Sequence, residues 1–476
     1  MDYVALACAL LLPWLLGFAL LCALDWPRPS ALPALPSAGG TALRLGTGYF
    51  VGALLLTFWM RGLSAAGIAF GRLSIGAPLL LMAVLLCLWA ARKQRLPLAT
   101  LRDLPRWLIH PPLPRWQRLA WTLLLAWLAL RFALLAAEVL WRPLYPWDAW
   151  VQWATKARVW YELGRIVPFV HADVWLAGSS GAYFDASPNY PATVPLLQVW
   201  SCIALGRWDD SAMNGPWLLM AVALALSVYG ALRDAGLALL PALVGAYLVV
   251  SLPLLDAHVA LAGYADLMMA CVYTVAALAF YRWTLRRDPR DAILALLLAL
   301  CCPLIKVPGV FWALTLLPGT LIALMPRRGP STVAIAFAAG ALVLLYLAQS
   351  APVILGHRLH LDFEPPWHAL AEAYFLLNNW HLLWYAVVAL AIVGARRLVR
   401  PPLAPLAAVV ATGLVFLGVV FTFTNVAAWV VDFTTVNRAT LHLAPLLVVL
   451  CVLLWRELST VAPAAAQTPA LFTANA

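Results

Sequence analysis

Charge is what this chain has least of. Only 11% of its 476 residues are Asp, Glu, Lys or Arg, where a soluble domain carries about 25%. A soluble enzyme or nucleic-acid-binding protein of this size has no polar surface with which to cover so much apolar side chain. A disordered chain would show the opposite balance, low hydrophobicity with high charge. Cys-x-x-Cys pairs, a P-loop, a Gly-x-Gly-x-x-Gly fingerprint and a His-Glu-x-x-His helix are also missing. Nucleotide-driven chemistry and a built zinc site therefore have no support. The eight cysteines fall almost entirely in apolar runs and read as small buried hydrophobes. Segments of about 10 alternating residues are lacking too, which excludes an outer-membrane barrel.

What is present is continuous apolar sequence. The set AVILMFWYC makes up 64% of the chain, and mean hydropathy is +0.89. The runs are rich in Leu and Ala, which favour helix. The fold class is all-α, a polytopic transmembrane helical bundle. Runs of about 20 apolar residues cover 3–24, 43–60, 73–91, 116–140, 212–232, 238–255, 263–283, 291–305, 309–325, 332–350, 380–396, 404–423 and 438–456. That predicts thirteen spans. The first has only Asp2 before it and no cleavage site after it, so it reads as a retained span.

Loop charge gives direction to these spans, because basic loops stay in the cytoplasm. Segment 92–118 carries Arg92, Lys93, Arg95, Arg102, Arg106, Arg115 and Arg118 against one acid, Asp103. Segments 283–290, 326–331 and 396–402 are also basic. All four fall inside only if the shorter run 192–206 does not cross. It is then a helix lying on or dipping into the outer face. The N-terminus is predicted outside, in the periplasm, and the C-terminus in the cytoplasm. The chain divides into an N-terminal three-span extension, 1–115; a membrane core, 116–456; and an Ala/Thr/Pro-rich tail, 457–476, predicted to be disordered. Loops 141–211, 351–379 and 424–437 face outward, the first containing amphipathic helices. Long loops concentrate function.

The candidate residues cluster at those outer ends. Asp148, in Tyr145-Pro146-Trp147-Asp148, opens an apparent helix 148–163. Two compatible readings fit it: a helix N-cap, or a general base whose proton affinity is raised near lipid. Lys156 shares its face at i, i+4 spacing, either snorkelling or beside the substrate. Asp266 opens span 263–283, and an aspartate there is either a cap or a functional group. Lys306 and Arg438 sit at outer span ends. Each is an interfacial anchor or a partner for a phosphate. His442 lies one turn after Arg438. Tyr190-Pro191 marks a helix entrance. Trp141, Trp147, Trp150, Trp153, Trp160 and Trp175 form a belt or line a groove. Asp209-Asp210 and the His/Asp/Glu residues of 357–372 match no specific metal pattern.

In order, these residues resemble the glycosyltransferase C superfamily. Its bacterial branch includes the membrane sugar transferases of lipid A and lipopolysaccharide and relatives of the protein O-mannosyltransferases. The resemblance rests on Asp148 early in the first outer loop, Tyr190-Pro191 through Leu197, Asp266, Lys306-x-Pro308-Gly309, and Asn437-Arg438 before Leu441-His442-x-x-Pro445. It covers roughly 116–456. Where many members have an acidic pair, this chain has Asp148 followed by Ala149. The resemblance implies an inner-membrane enzyme that takes a sugar from a polyprenyl-phosphate carrier and passes it, with inversion, to a lipid or glycan acceptor of the cell envelope. It implies Asp148 as base and Lys306, Arg438 and Lys156 on the donor phosphate. Trp147, Tyr190, Asp266 and His442 are candidate substrate contacts. No cofactor is assigned; a divalent metal is compatible with the family but unsupported by these residues. Nucleic acid is not expected as a partner. The alternatives are a multi-pass transporter or flippase of lipid-linked substrates, which predicts mid-membrane charges and broken helices, and an inactive scaffold.

Overall fold

The computed structural model describes residues 2–27, 38–178, 181–350, 353–354, 357–358 and 366–460. Three helices come first: α1 (Asp2–Ala23), α2 (Ala38–Ala65) and α3 (Ala77–Arg92), the last entered through a π-turn at Arg72–Gly76. A short surface helix, α4 (Leu98–Ile109), leads into the long α5 (Arg115–Trp141). The long loop after α5 then folds on itself. A π-turn, Ala149–Ala154, runs into α6 (Thr155–Leu163). Next come strand β1 (Phe169–Val170), α7 (Ala172–Leu176) and strand β2 (Tyr183–Phe184), the strands pairing in parallel. α8 (Thr193–Leu205) closes the loop.

The remaining chain is helix after helix: α9 (Gly215–Asp234), α10 (Leu239–Val250), α11 (Pro253–Ala260), α12 (Asp266–Arg286), α13 (Pro289–Cys301), α14 (Gly309–Leu314), α15 (Leu316–Leu324) and α16 (Gly329–Ala348). A small antiparallel pair, β3 (Val353–Ile354) with β4 (His357–Arg358), precedes α17 (Trp367–Ala371). The bundle ends with α18 (Leu383–Leu398), α19 (Ala404–Phe423), α20 (Thr434–Leu441) and α21 (Ala444–Ser459). The all-α expectation holds.

The span count differs from the sequence reading. Every one of the thirteen apolar runs becomes helix. Among the described residues, however, only seven helices are long and apolar enough to cross a membrane, or nine if two bent pairs each count once. Those pairs are α10–α11, bent by 62°, and α20–α21, bent by 54°. Runs 291–305, 309–325 and 380–396 form helices too short for the test. Local breaks shorten two of them: the Cys302–Leu304 turn ends α13, and the helix restarts at Leu316 after α14. Summed hydropathy does not register such breaks. Residues 461–476 of the proposed tail lie outside the described residues, as do His360, Asp362 and Glu364.

α8 is a 13-residue apolar helix, and every residue but Ile203 is buried. α6 does match the amphipathic reading, with Ala157 and Trp160 inward and the exposed Arg158 and Glu162 paired at 2.7 Å.

The first three helices do not form a separate unit. One continuous apolar core runs from Ala9 to Leu454, and α2 packs along α9. The basic loops gather at one end of the bundle. Arg286 donates to Asp234 at 2.6 Å, Arg287 to the Ala323 carbonyl at 2.5 Å and Arg290 to the Asp25 carbonyl at 2.9 Å. Asp266 stands at the far end of α12 from these groups.

α1 and α2 cross at backbone contact. A Cβ at Gly52 would run into the Pro13 carbonyl, and one at Gly17 into the Gly48 carbonyl. Small residues permit such an approach between membrane helices. Gly52→Val is expected to lower the thermal midpoint of the detergent-solubilised protein, since overpacking alone costs about 1–3 kcal/mol and a backbone atom cannot yield. Gly62→Ala, where a Cβ meets nothing within 4 Å, leaves the midpoint unchanged.

Candidate functional site

Asp266 is the first residue of α12 and has no exposed surface. A buried carboxylate must find charge or donors in the protein, and this one finds three side chains. Oδ1 accepts from Lys306 Nζ at 2.5 Å and lies 2.9 Å from His442 Nε2. Oδ2 accepts from Arg438 Nη2 at 2.9 Å and Nε at 3.2 Å. An ionised carboxylate only accepts, so His442 carries its proton on Nε2. Its Nδ1 is buried without a hydrogen-bond partner. Arg438 extends the set, donating from Nη1 to Asp148 Oδ2 at 2.5 Å. Five sequence candidates, Asp148, Asp266, Lys306, Arg438 and His442, thus form one network. With the imidazole neutral, two carboxylates face two cations.

The geometry chooses between the paired readings of these residues. Asp148 precedes the Ala149–Ala154 turn, but its side chain makes no capping bond. It is spent on Arg438. Asp266 does not cap either, being already inside its helix. Lys306 and Arg438 turn inward to a carboxylate, with side chains only 12% and 16% exposed, so neither is a freely snorkelling anchor.

Several residues that sequence reasoning missed build the surroundings. The Arg438 guanidinium lies over the Tyr264 ring, 4.3 Å from its centre, an arrangement that adds cation–π attraction. Trp217 holds Tyr264 in place by donating to its carbonyl at 2.9 Å. Trp312 meets the His442 ring edge-on. His258 is buried against Tyr264, with Nδ1 at 2.9 Å from the Leu254 carbonyl. A lone histidine in an apolar run was the available signal for it. Arg61, from α2, donates to Thr193 Oγ1 at 2.8 Å, and Thr193 donates to the Leu304 carbonyl at 2.5 Å. The N-terminal helices therefore buttress the loop that carries Lys306.

Gly263 crosses close to Ala149. Its φ is +113°, and a Cβ there would stand 2.7 Å from Ala149 Cβ. Ala149 is fully buried at this crossing, so a carboxylate at 149 has no room.

Lys156 goes elsewhere. It is buried, donating to Asp185 Oδ1 at 3.1 Å and to the Ser187 carbonyl at 2.6 Å. Burial lowers its proton affinity, and Asp185 opposes that. The i, i+4 register from Asp148 fails because the π-turn closes i→i+5 bonds and rotates the residues beyond it. Tyr190 stacks on Trp153 at 5.2 Å. Burial pushes its phenol up, Asp266 and Asp148 add to the rise, and Arg438 opposes it, which places the ring in the field of the network. Trp147 is 68% exposed and meets Trp150 edge-on at 5.1 Å, outside the network. Of the other tryptophans in the loop, Trp153 and Trp160 are core, while Trp141, Trp150 and Trp175 are exposed.

Among the described residues, no group of three His, Cys, Asp or Glu side chains is placed to hold a metal. Asp209 instead accepts from the amides of Ser211 and Ala212, and Asp210 from the Trp208 indole. His368 pairs with Glu372 at 3.7 Å.

Removing the central carboxylate strands two cations. Asp266→Asn is expected to cost on the order of 3–5 kcal/mol, as for a broken buried pair, read as a fall in the thermal midpoint. Asp148→Asn costs far less, because Arg438 keeps Asp266 and the Asp148 side chain is 26% exposed. Equal losses from the two variants would show that Asp266 is not the centre of the network. No protein-family model, curated protein or solved structure matches this chain.

Proposed function

We propose that this chain is an integral membrane glycosyltransferase of a bacterial inner membrane. In this reading it moves a sugar from a polyprenyl-phosphate carrier to a cell-envelope acceptor at the periplasmic face, with inversion at the anomeric carbon. The observation that carries the reading is the pairing of Lys306 and Arg438 with Asp266 and of Arg438 with Asp148, at the end of the bundle away from the basic loops. Basic loops stay inside, so the network faces the periplasm. In this reading helices α13, α14–α15, α16 and α18 complete thirteen crossings, with the N-terminus outside and the C-terminus inside.

An inverting displacement needs a base on one side of the anomeric carbon and positive charge on the other. The acceptor hydroxyl oxygen bonds to that carbon while the bond to the phosphate oxygen breaks. Asp148 takes the hydroxyl proton. Lys306 and Arg438 stabilise the charge that builds on the departing lipid phosphate. Lys306 spends one of its three donors on Asp266 and keeps two for the phosphate. An incoming phosphate competes for Arg438 and releases Asp148 to act as base. A divalent cation at Asp148 would have to displace the same guanidinium. His442 and Asp266 orient the two cations, and Lys156 pins the loop that carries Tyr190. Tyr190 and the exposed Trp147 are left as acceptor contacts. An apolar cavity of about 550 Å³ lies between Tyr374, Trp384 and the outer half of α19. Tyr374 is linked to Thr440, two residues from Arg438, at 3.1 Å, so the cavity suits an isoprenoid chain.

One observation favours a transporter or flippase instead. Two spans are sharply bent, and the α20–α21 break falls between Arg438 and the rest of its span. Broken helices at a charged site are a transporter device.

Mass spectrometry of lipids co-purifying with the full-length chain, paired with a transfer assay, separates the readings. Asp148→Asn is expected to keep a sugar-bearing polyprenyl phosphate bound while transfer falls by roughly 10²-fold or more. Lys306→Ala is expected to lose the bound donor. Undiminished transfer by Asp148→Asn would remove the base assignment. Passage of an unaltered lipid-linked sugar across reconstituted vesicles would replace the enzyme with the transporter.

A further inference from the structure

At the opposite end of the bundle lies a second, wholly different cavity. It has a volume of about 310 Å³ and is walled by α2, α5, α9 and α10, with α4 as its cover. Its lining is almost entirely apolar. We infer that it holds an acyl chain of an anionic phospholipid, whose phosphate sits at Arg118 and Arg233. The inference is independent of the sugar-transfer reading.

Helix geometry puts those two arginines at one rim. Trp121, Leu125 and Leu128 are the α5 wall, and Arg118 is three residues before Trp121 on the same stripe. Leu226 and Tyr229 are part of the α9 wall, and Arg233 lies beyond Tyr229 at i+4. α5 and α9 are joined through the outer loop and run in opposite directions. Both stripes therefore end in arginine on the side of the basic loops.

Arg233 also lacks what a buried cation needs. It is only 5% exposed and donates to the Leu237 carbonyl. Its Nε is buried without a hydrogen-bond partner, and the nearest acceptor side chain is the neutral Tyr229 hydroxyl. Among the described residues no carboxylate pairs with it, since the adjacent Asp234 is taken by Arg282 and Arg286. Among the described residues Arg118 reaches only the Leu113 carbonyl, at 3.2 Å. A phosphate diester answers both guanidinium groups.

The cover fixes the ligand as a lipid. α4 turns Leu104 and its neighbours to the cavity and leaves Arg102, Arg106, Leu98 and Ile109 on its exposed side. A short helix with that division lies in the membrane interface. The basic run 92–118 around it attracts anionic headgroups. An acyl chain fills an apolar space with no hydrogen bonds to offer, and the headgroup meets the arginines at its mouth.

The test uses the full chain in nanodiscs and two photoreactive lipids with the same diazirine-bearing acyl chain, one phosphatidylglycerol and one phosphatidylcholine. The phosphatidylglycerol probe is expected to label the cavity-facing residues of α4, α5 or α9 at least about 5-fold more strongly, the scale set by one arginine near an anionic lipid. Arg118→Ala, an exposed substitution, should cut that labelling by about 5-fold. Ala225→Trp, which fills the cavity, should abolish it with the thermal midpoint retained. Equal labelling by the two headgroups, or labelling elsewhere on the bundle, would overturn the inference. If Ala225→Trp fails to fold, Arg118→Glu decides: undiminished labelling would equally overturn it.

Discussion

A carboxylate with no exposed surface cannot be left to water, and Asp266 is such a group. Its two oxygens take hydrogen bonds from Lys306, Arg438 and His442. These come from two chain segments far apart in sequence, and Arg438 brings in a third by reaching Asp148. One side chain thereby ties together α12, the turn before α14, and α20 with the residue that follows it. In a low-dielectric interior such a network is high-stakes. Fully satisfied, it specifies one arrangement; with a member missing, it leaves an unpaired charge. The same burial turns the cations toward a common point.

A second polar layer closes the other end of the bundle. Arg282 is buried between Asp234 and Asp291, and Asp291 also accepts from the Trp26 indole at 2.6 Å. Trp26 lies just beyond α1, and Arg44 of α2 donates to its carbonyl at 2.6 Å. The first three helices are thereby tied to α12 and α13 at one end, and through Arg61 and Thr193 to the Lys306 loop at the other. Two ion-paired layers bracket an apolar middle, and the N-terminal helices touch both. The resemblance that began at residue 116 left these helices without a role; the structure makes them a support for the site.

Much of the network was legible as a set of suspects. Asp148, Asp266, Lys306, Arg438 and His442 each stand where an ionisable group is costly, so each required a partner or a purpose. What could not be read was who partners whom. Lys156 shows the failure most plainly. Its i, i+8 spacing from Asp148 promised a shared face, but a π-turn between them changed the register and sent the ammonium to Asp185. Ala149 shows the reverse case. Its lack of charge looked like a departure from a family pattern, and the approach of Gly263 supplies the steric reason. Tyr264 and His258 were overlooked because nothing local distinguishes an aromatic that supports a guanidinium from one that fills a core.

By itself the sequence determined the solvent, the secondary structure and the ends at which charge collects. These depend on transfer free energies and helix propensities that act over a few residues or one span. Tertiary structure alone decided which helices are interrupted, that α8 is buried on all sides, and which charges meet. Ion pairs and hydrogen bonds form only within a few ångströms. The Arg438–Asp148 contact joins groups 290 residues apart, and the separation of such groups is fixed by how every helix between them packs.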